Sequence, residues 1–192
     1  MKTFAVLIPT IPKHRKTLMA LMMQMTEQVC KYQVQDHFCV YTLEDSKDKD
    51  NSIGAKRNRL LDFAVADKID YVAFIDSDDR ISADYMKQVF TGIAYEPDCC
   101  SLNGIITVDG QNPKEFKHSI SYKGWYEDNG IYYRYPNHLN CIKTEIADQI
   151  RFPENSFGED KDFSMRLMES GLIKTEHVIE YPIYYYDYIY KK

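Results

Sequence analysis

Two runs of the chain, Phe4 to Ile8 and Tyr71 to Ile75, are apolar or aromatic at every position. An unbroken run of that length predicts a strand buried on both faces, whereas a half-exposed strand would alternate. Phe38 to Leu43, Cys100 to Val108 and His177 to Tyr186 are three more strand candidates. Helical spacing of apolar positions runs from Lys16 to Lys31, from Ser52 to Ala66 and from Ser82 to Ala94. Strand and helix therefore alternate over the first hundred residues, which predicts an α/β fold on a mainly parallel sheet. The stretch from Asn112 to Asn140 holds Pro113, Gly124, Gly130 and Pro136 among many aromatics without a clean period, and reads as an irregular, loop-rich rim.

In such sheets ligands bind beyond the carboxyl ends of the strands, where Thr10, Glu44, Asp45 and Asp76 to Asp79 fall. The last group is the sharpest signal in the chain. YVAFIDSDDR runs from a buried strand straight into Asp76, Asp78 and Asp79, and three carboxylates there are costly unless solvated, paired or holding a cation. If the backbone stays extended, Asp76 and Asp78 share a face about 6–7 Å apart. Two hard oxygen donors at that separation can hold a divalent ion and the phosphates it carries.

The helix opening SIGAKRN is at odds with itself. Ser52 is a good N-cap, yet Lys56, Arg57 and Arg59 follow where the helix dipole disfavours cations by a few tenths of a kcal/mol each, roughly. A nearby anion would reverse that penalty. Arg57 shares a stripe with Ile53, Leu60, Leu61 and Ala64, so its guanidinium points coreward and needs a partner, either an aspartate in an ion pair or a phosphate. A second acidic helix start, GEDKDF, is open to an ordinary explanation, because first-turn acids suit the dipole and Asp162 can pair with Arg166. Asp160, however, shares a stripe with Phe163 and Leu167, which is expected to lean its carboxylate towards packed, partly dry surroundings that favour it as a base.

Composition narrows the picture. With 192 residues, 44% hydrophobic, the chain can build one well-packed core. A net charge of −5 without a basic cluster argues against nucleic acid as the main partner. No window approaches the ~18 apolar residues of a membrane span. The apolar start ends at Pro9 with basic residues after it, unlike a signal peptide. Five cysteines in no zinc spacing read as reduced thiols of a cytoplasmic protein.

Taken together, FAVLIPT, SIGAKRN, FIDSDD and GEDKDF occur in an order and spacing that resemble the family 2 glycosyltransferases of the GT-A fold. The resemblance spans most of the chain. It implies a single GT-A domain over residues 1–192, a Rossmann-like, mainly parallel central sheet flanked by helices. About 1–95 would bind the nucleotide sugar and about 96–192 the acceptor. It further implies that Asp76 and Asp78 hold Mn²⁺ or Mg²⁺ on a nucleotide-sugar diphosphate, and that Asp160 deprotonates the acceptor hydroxyl with inversion. Thr10 and Asp45 would lie near the nucleoside, and Arg57 with Lys56 near the ribose or phosphates, with Ser77 on the same donor side. A UDP-sugar is favoured as donor, and the acceptor is left open among a glycan, a lipid-linked intermediate, a protein and a small molecule. Many relatives carry a histidine after the last aromatic strand, where this chain reads YPIYYYDYIYKK; Asp187 and His177 are the substitutes at hand.

On the acceptor side the candidates are Glu159, Trp125 and His138. Trp125 with Tyr126 is a possible sugar platform, since aromatic faces bind sugars well, or else a cover over the core. Packing suits most of the tyrosines from Tyr184 to Tyr190, and His118, like His138, lies in a polar, loop-like context. Two rivals stand against the transferase. A phosphohydrolase of the haloacid dehalogenase type also places DxD after a buried strand, but it requires Thr or Val where this chain has Arg80. A binding module that keeps the nucleotide sugar without turnover is the other. A calcium loop from Asp48 fails, with Ile53 at its sixth position and Arg59 at its twelfth.

Overall fold

The structure is a computed structural model that describes residues 1–44 and 52–188. Asp45 and the start of the rejected calcium loop lie outside the described residues, as does Tyr190. The chain begins β1 (Phe4–Thr10), α1 (Arg15–Tyr32), β2 (Phe38–Glu44), α2 (Ile53–Ala66), β3 (Tyr71–Phe74), β4 (Arg80–Ile81) and α3 (Tyr85–Ile93). It continues through β5 (Cys99–Cys100), β6 (Leu102–Val108), β7 (Gln111–His118), β8 (Trp125–Asp128), β9 (Ile131–Arg134) and β10 (Ile142–Lys143). Last come α4 (Thr144–Ile150), α5 (Glu159–Ser170), β11 (Glu176–His177) and β12 (Pro182–Tyr188).

Among the described residues twelve strands form two six-stranded sheets, ordered β11-β5-β10-β3-β1-β2 and β4-β12-β6-β7-β9-β8. In the first, β1 pairs in parallel with both β2 and β3, and β10 enters antiparallel between β3 and β5. Phe4, Val6 and Ile8 pack with α1 and α3 on one side of β1, while Ala5 and Leu7 pack with α2, α4 and α5 on the other. That sandwiching is why β1 carries no polar position from Phe4 to Ile8. Among the described residues no helix is long and apolar enough to cross a membrane. Cys99, Cys100 and Cys141 are buried thiols, whereas Cys30 is exposed.

Three expectations need correction. The stretch from Asn112 to Asn140 is not an irregular rim, because it supplies β7, β8 and β9 of the second sheet. Cys100 to Val108 is not one strand, and neither is His177 to Tyr186. Each starts in the first sheet and finishes in the second. Ser101 marks the first crossover, its hydroxyl accepting the Ile179 N–H at 2.7 Å and so joining it to the second. His118, read as loop-like, closes β7 fully buried, with Nδ1 3.0 Å from Asn140 Oδ1. Burial first, and then the charge of Arg134, hold it down at a pKa of about 3.

Two sets of contacts set the ligand edge of the first sheet. Gln24 and Gln28 on α1 donate to the carbonyls of Ile81 and Ser82 at 2.8 and 2.9 Å, and Gln28 accepts the Met86 N–H at 2.9 Å. They hold the segment just after the acidic loop. On the other flank, α2 is stitched to residues 152–156. Asn58 exchanges two hydrogen bonds with the Phe152 backbone, and the Gly54 N–H donates to the Asn155 carbonyl at 3.1 Å. Gly54 allows this approach, since a Cβ there would sit 1.9 Å from the Pro153 carbonyl oxygen. Alanine would favour the helix by about 1 kcal/mol, yet the overlap costs about 1–3 kcal/mol. Gly54→Ala is therefore expected to lose stability in a urea melt and to weaken binding at the cleft beside this loop. A variant as stable as the parent would show that the loop gives way freely.

Candidate active site

The backbone does not stay extended through the three aspartates. β3 ends at Phe74, and Asp76 to Asp79 form a turn closed by the Asp79 N–H donating to the Asp76 carbonyl at 3.0 Å. The extended-strand argument for a common face thus fails, but the turn achieves the same result, since Asp76 and Asp78 border one cleft. Tyr184 of β12 holds the turn from below. Its hydroxyl donates to Asp79 Oδ2 at 2.7 Å and accepts the Asp76 N–H at 3.3 Å. Burial, then the charges of Asp76 and Asp78, raise Asp79 well above the ordinary carboxylate range against that hydrogen bond.

Arg57 is the hub of the site. Its side chain is 3% exposed. Nη1 donates to Glu159 Oε1 at 2.7 Å, Nη2 donates to Asp76 Oδ1 at 3.2 Å, and Nη2 lies 3.2 Å from His138 Nε2. Its guanidinium carbon lies 5.5 Å from the centre of the Phe152 ring. A guanidinium cannot accept a hydrogen bond, so His138 Nε2 is the acceptor and the imidazole is neutral with its proton on Nδ1. Burial and the Arg57 charge both push His138 well below the usual histidine range. The ion pair expected between Arg57 and an aspartate is present, with Glu159 as a second acid.

Two clefts meet at Asp76. The first, of about 330 Å³, is bordered by Thr10, His14, Lys56, Arg57, Asp76, Ser77, Asp78 and Glu159. Thr10 lies at the end of β1 with its buried hydroxyl unpartnered. Ser52 caps α2 as expected, accepting the Ala55 N–H at 3.1 Å, and this starts the helix that carries Lys56 and Arg57 to the cleft. Glu159, expected on the acceptor side, is here instead. The second cleft, of about 230 Å³, is bordered by Asp76, Asp79, Trp125, Arg134, Asn137, His138, Asp160 and Tyr186, among others.

Gly158, at φ 76°, turns the chain into α5, and the roughly 100° between successive helical residues separates the adjacent acids. Glu159 enters the first cleft and Asp160 the second. Of the two, Glu159 is the buried one, 7% exposed. Asp160 is half-buried, less dry than the shared stripe with Phe163 and Leu167 suggested, because a first-turn residue sits at the rim of the core. The Lys161 N–H donates to its Oδ1 at 2.7 Å and orients the carboxylate. Asp162 pairs with Arg166 at 2.5 Å, as helix spacing predicts.

Trp125 and Tyr126 do not form one platform, since successive strand residues face opposite sides of a sheet. The Trp125 indole donates to Ser164 Oγ at 2.9 Å on α5 and borders the second cleft. Tyr126 stacks on Tyr133 with ring centres 5.2 Å apart and does not border it. Neither histidine substitute from the tail reaches the carboxylates. Asp187 accepts from Thr107 and the Gly110 N–H, and His177 stacks on Tyr95.

The residue that sequence reasoning missed is His14. Its Nε2 lies 3.4 Å from Asp78 Oδ2 and its Nδ1 3.1 Å from Ser77 Oγ. Its one sequence signal is its position just past the carboxyl end of β1. Among the described residues no three metal-ligating side chains are grouped to hold an ion by themselves. The chemistry of the donor set still fits Mg²⁺ or Mn²⁺, both of which take hard carboxylate oxygens and leave positions for phosphate and water.

No protein-family model and no curated protein matches the chain. Among solved structures it is similar to residues 1–349 of S. aureus TarS, with a TM-score of 0.63 at 18% identity over 97% of this chain and 60% of that one. The same region of TarS in complex with UDP-GlcNAc gives 0.63 at 17% identity over 100% of this chain and 60% of that one. A longer TarS structure gives 0.60 at 16% over 97% and 37%. The chain thus spans 60% of the length of the first of these. At such identities the likeness is one of fold, and the fold is GT-A: a Rossmann-like α/β sheet flanked by helices, with a second sheet beside its ligand edge.

Proposed function

We propose that this protein is a metal-dependent glycosyltransferase that moves a sugar from a nucleoside diphosphate, with UDP favoured, to an acceptor hydroxyl with inversion. The observation that carries the reading is the shared wall at Asp76. One cleft there gathers carboxylates, Lys56 and Arg57, and the other gathers Asp160, Trp125 and His138. A donor diphosphate fits the first and an acceptor sugar the second, so that the sugar to be moved crosses between them. The UDP-GlcNAc held by the similar TarS fold supports a UDP-linked donor.

Asp76 and Asp78 are the residues that would hold the metal, which supplies Lewis-acid stabilisation of the departing diphosphate when bound. Lys56 and Arg57 add fixed positive charge on the same side, preorganised by the Glu159 pair. Thr10 offers its unpartnered hydroxyl to the nucleoside end, and Ser77 lines the wall between. Asp160 accepts the proton of the attacking hydroxyl from the far side of Asp76, the arrangement an inverting displacement needs.

The first test is thermal stability with UDP, GDP, UDP-GlcNAc and phosphate, each with and without Mn²⁺. A ligand at 100 times its Kd adds about 2.7 kcal/mol. A metal-dependent shift with UDP or UDP-GlcNAc is expected, and Asp76→Ala should remove the metal dependence. A shift with Mg²⁺ and a phosphate analogue, but with no nucleotide, would overturn the reading in favour of a phosphohydrolase.

A further inference from the structure

The second cleft holds a positive charge that the proposed chemistry does not use. Arg134 closes β9, with its guanidinium 4.5 Å from the centre of the Trp125 ring and its Nη2 donating to the Tyr186 hydroxyl at 3.2 Å. These contacts fix the plane of the group without neutralising it. Arg57 is paired with Glu159 and Asp76, Arg151 with Asp62 and Asp148, and Arg166 with Asp162. Arg134 makes no such pair among the described residues, and only one of its five N–H donors is engaged by a side chain.

Two more donors lie beside it on the same short segment. Asn137, 1% exposed, accepts the Leu139 N–H on Oδ1 at 3.0 Å, which leaves its amide Nδ2 as a donor without a partner. His138 carries its proton on Nδ1, as argued above, and that atom is also unpartnered. Arg134, Asn137 and His138 all border the cleft that holds Asp160. The guanidinium of Arg134 presents its free donors as a planar fork, and anionic oxygens, which such a fork binds in charge-assisted pairs, are the ligand atoms that match it best.

We propose that the acceptor is an anionic sugar, its phosphate or carboxylate bound by Arg134 while a hydroxyl is presented to Asp160. This rests on the transferase reading and adds the substrate class. The carboxylate of Asp160 borders the same cleft and repels an anion, so the acceptor binds in one direction, charged end towards Arg134. The Trp125 ring is placed to cover the sugar between the two ends.

Trp125 is the single tryptophan of the chain, so its fluorescence reports on this cleft alone. With the donor cleft filled by UDP and Mn²⁺, the protein is titrated with glucose, glucose 6-phosphate and glucuronate. At least one anionic probe is expected to bind roughly tenfold tighter than glucose, and which one does so distinguishes phosphate from carboxylate. Arg134→Gln should abolish that preference with UDP affinity unchanged, and Arg134→Lys should retain part of it. No response to any probe, equal binding of all three, or a preference that survives Arg134→Gln would overturn the proposal. Failure of UDP with Mn²⁺ to bind, measured beforehand by calorimetry, would instead overturn the transferase reading.

Discussion

Asp160→Asn is expected to lower sugar transfer by roughly 10²–10⁴-fold, the usual contribution of a general base, while UDP-GlcNAc binding stays unchanged. The alternatives within reach are already committed. Asp79 takes the Tyr184 hydroxyl, Glu159 is held by Arg57, and His138 spends its accepting nitrogen on the same guanidinium. Among the described residues Asp160 has only a neighbouring backbone N–H on one oxygen, and it borders the cleft beside Trp125. Asparagine keeps the shape and that contact but cannot take a proton. The measurement is UDP release in the presence of acceptor, set against donor affinity by calorimetry. Full turnover in the variant would mean that another group is the base.

Arg57→Met should be the most destabilising single change in the site. Removing one partner of a buried ion pair leaves the other charge uncompensated, at a cost of about 3–5 kcal/mol, and Glu159 is the group left behind. Methionine fills the space against Phe152 but satisfies neither Glu159, Asp76 nor His138. Adding Glu159→Gln to Arg57→Met should restore part of the loss, because the stranded charge is then gone. Urea melts of the two single variants and the double variant decide it. A loss below about 1 kcal/mol for Arg57→Met would mean that water reaches Glu159 and the pair is not a structural unit.

The strands that were legible are those buried on both faces, where no polar residue dilutes the signal. β7 shows the opposite case. In QNPKEFKH only Phe116 and His118 are buried, and lysines, a glutamate and a proline hide the alternation. β8, WYED, is short and mostly exposed, so it reads as loop although it pairs fully with β9. The crossovers at Ser101 and after His177 were invisible for another reason. Periodicity shows which face of a strand is apolar and does not register a change of partner strand.

The site divides in the same way. From the sequence came the acids at the end of β3, the Ser52 cap, the coreward direction of Arg57 and the Asp162–Arg166 pair, all set by neighbours within a few residues. Which acid Arg57 meets is a contact across 102 positions, and its meeting with His138 spans 81. That choice belongs to the docking of α2 on residues 152–156, through Gly54 and Asn58. Local periodicity tells which side of an element faces the core, and so it located the candidates. It carries no information about what the core brings from elsewhere. Hence only the tertiary structure sent Glu159 to one cleft and Asp160 to the other, set His14 against Asp78, and left Arg134 beside Trp125 without an acid of its own among the described residues.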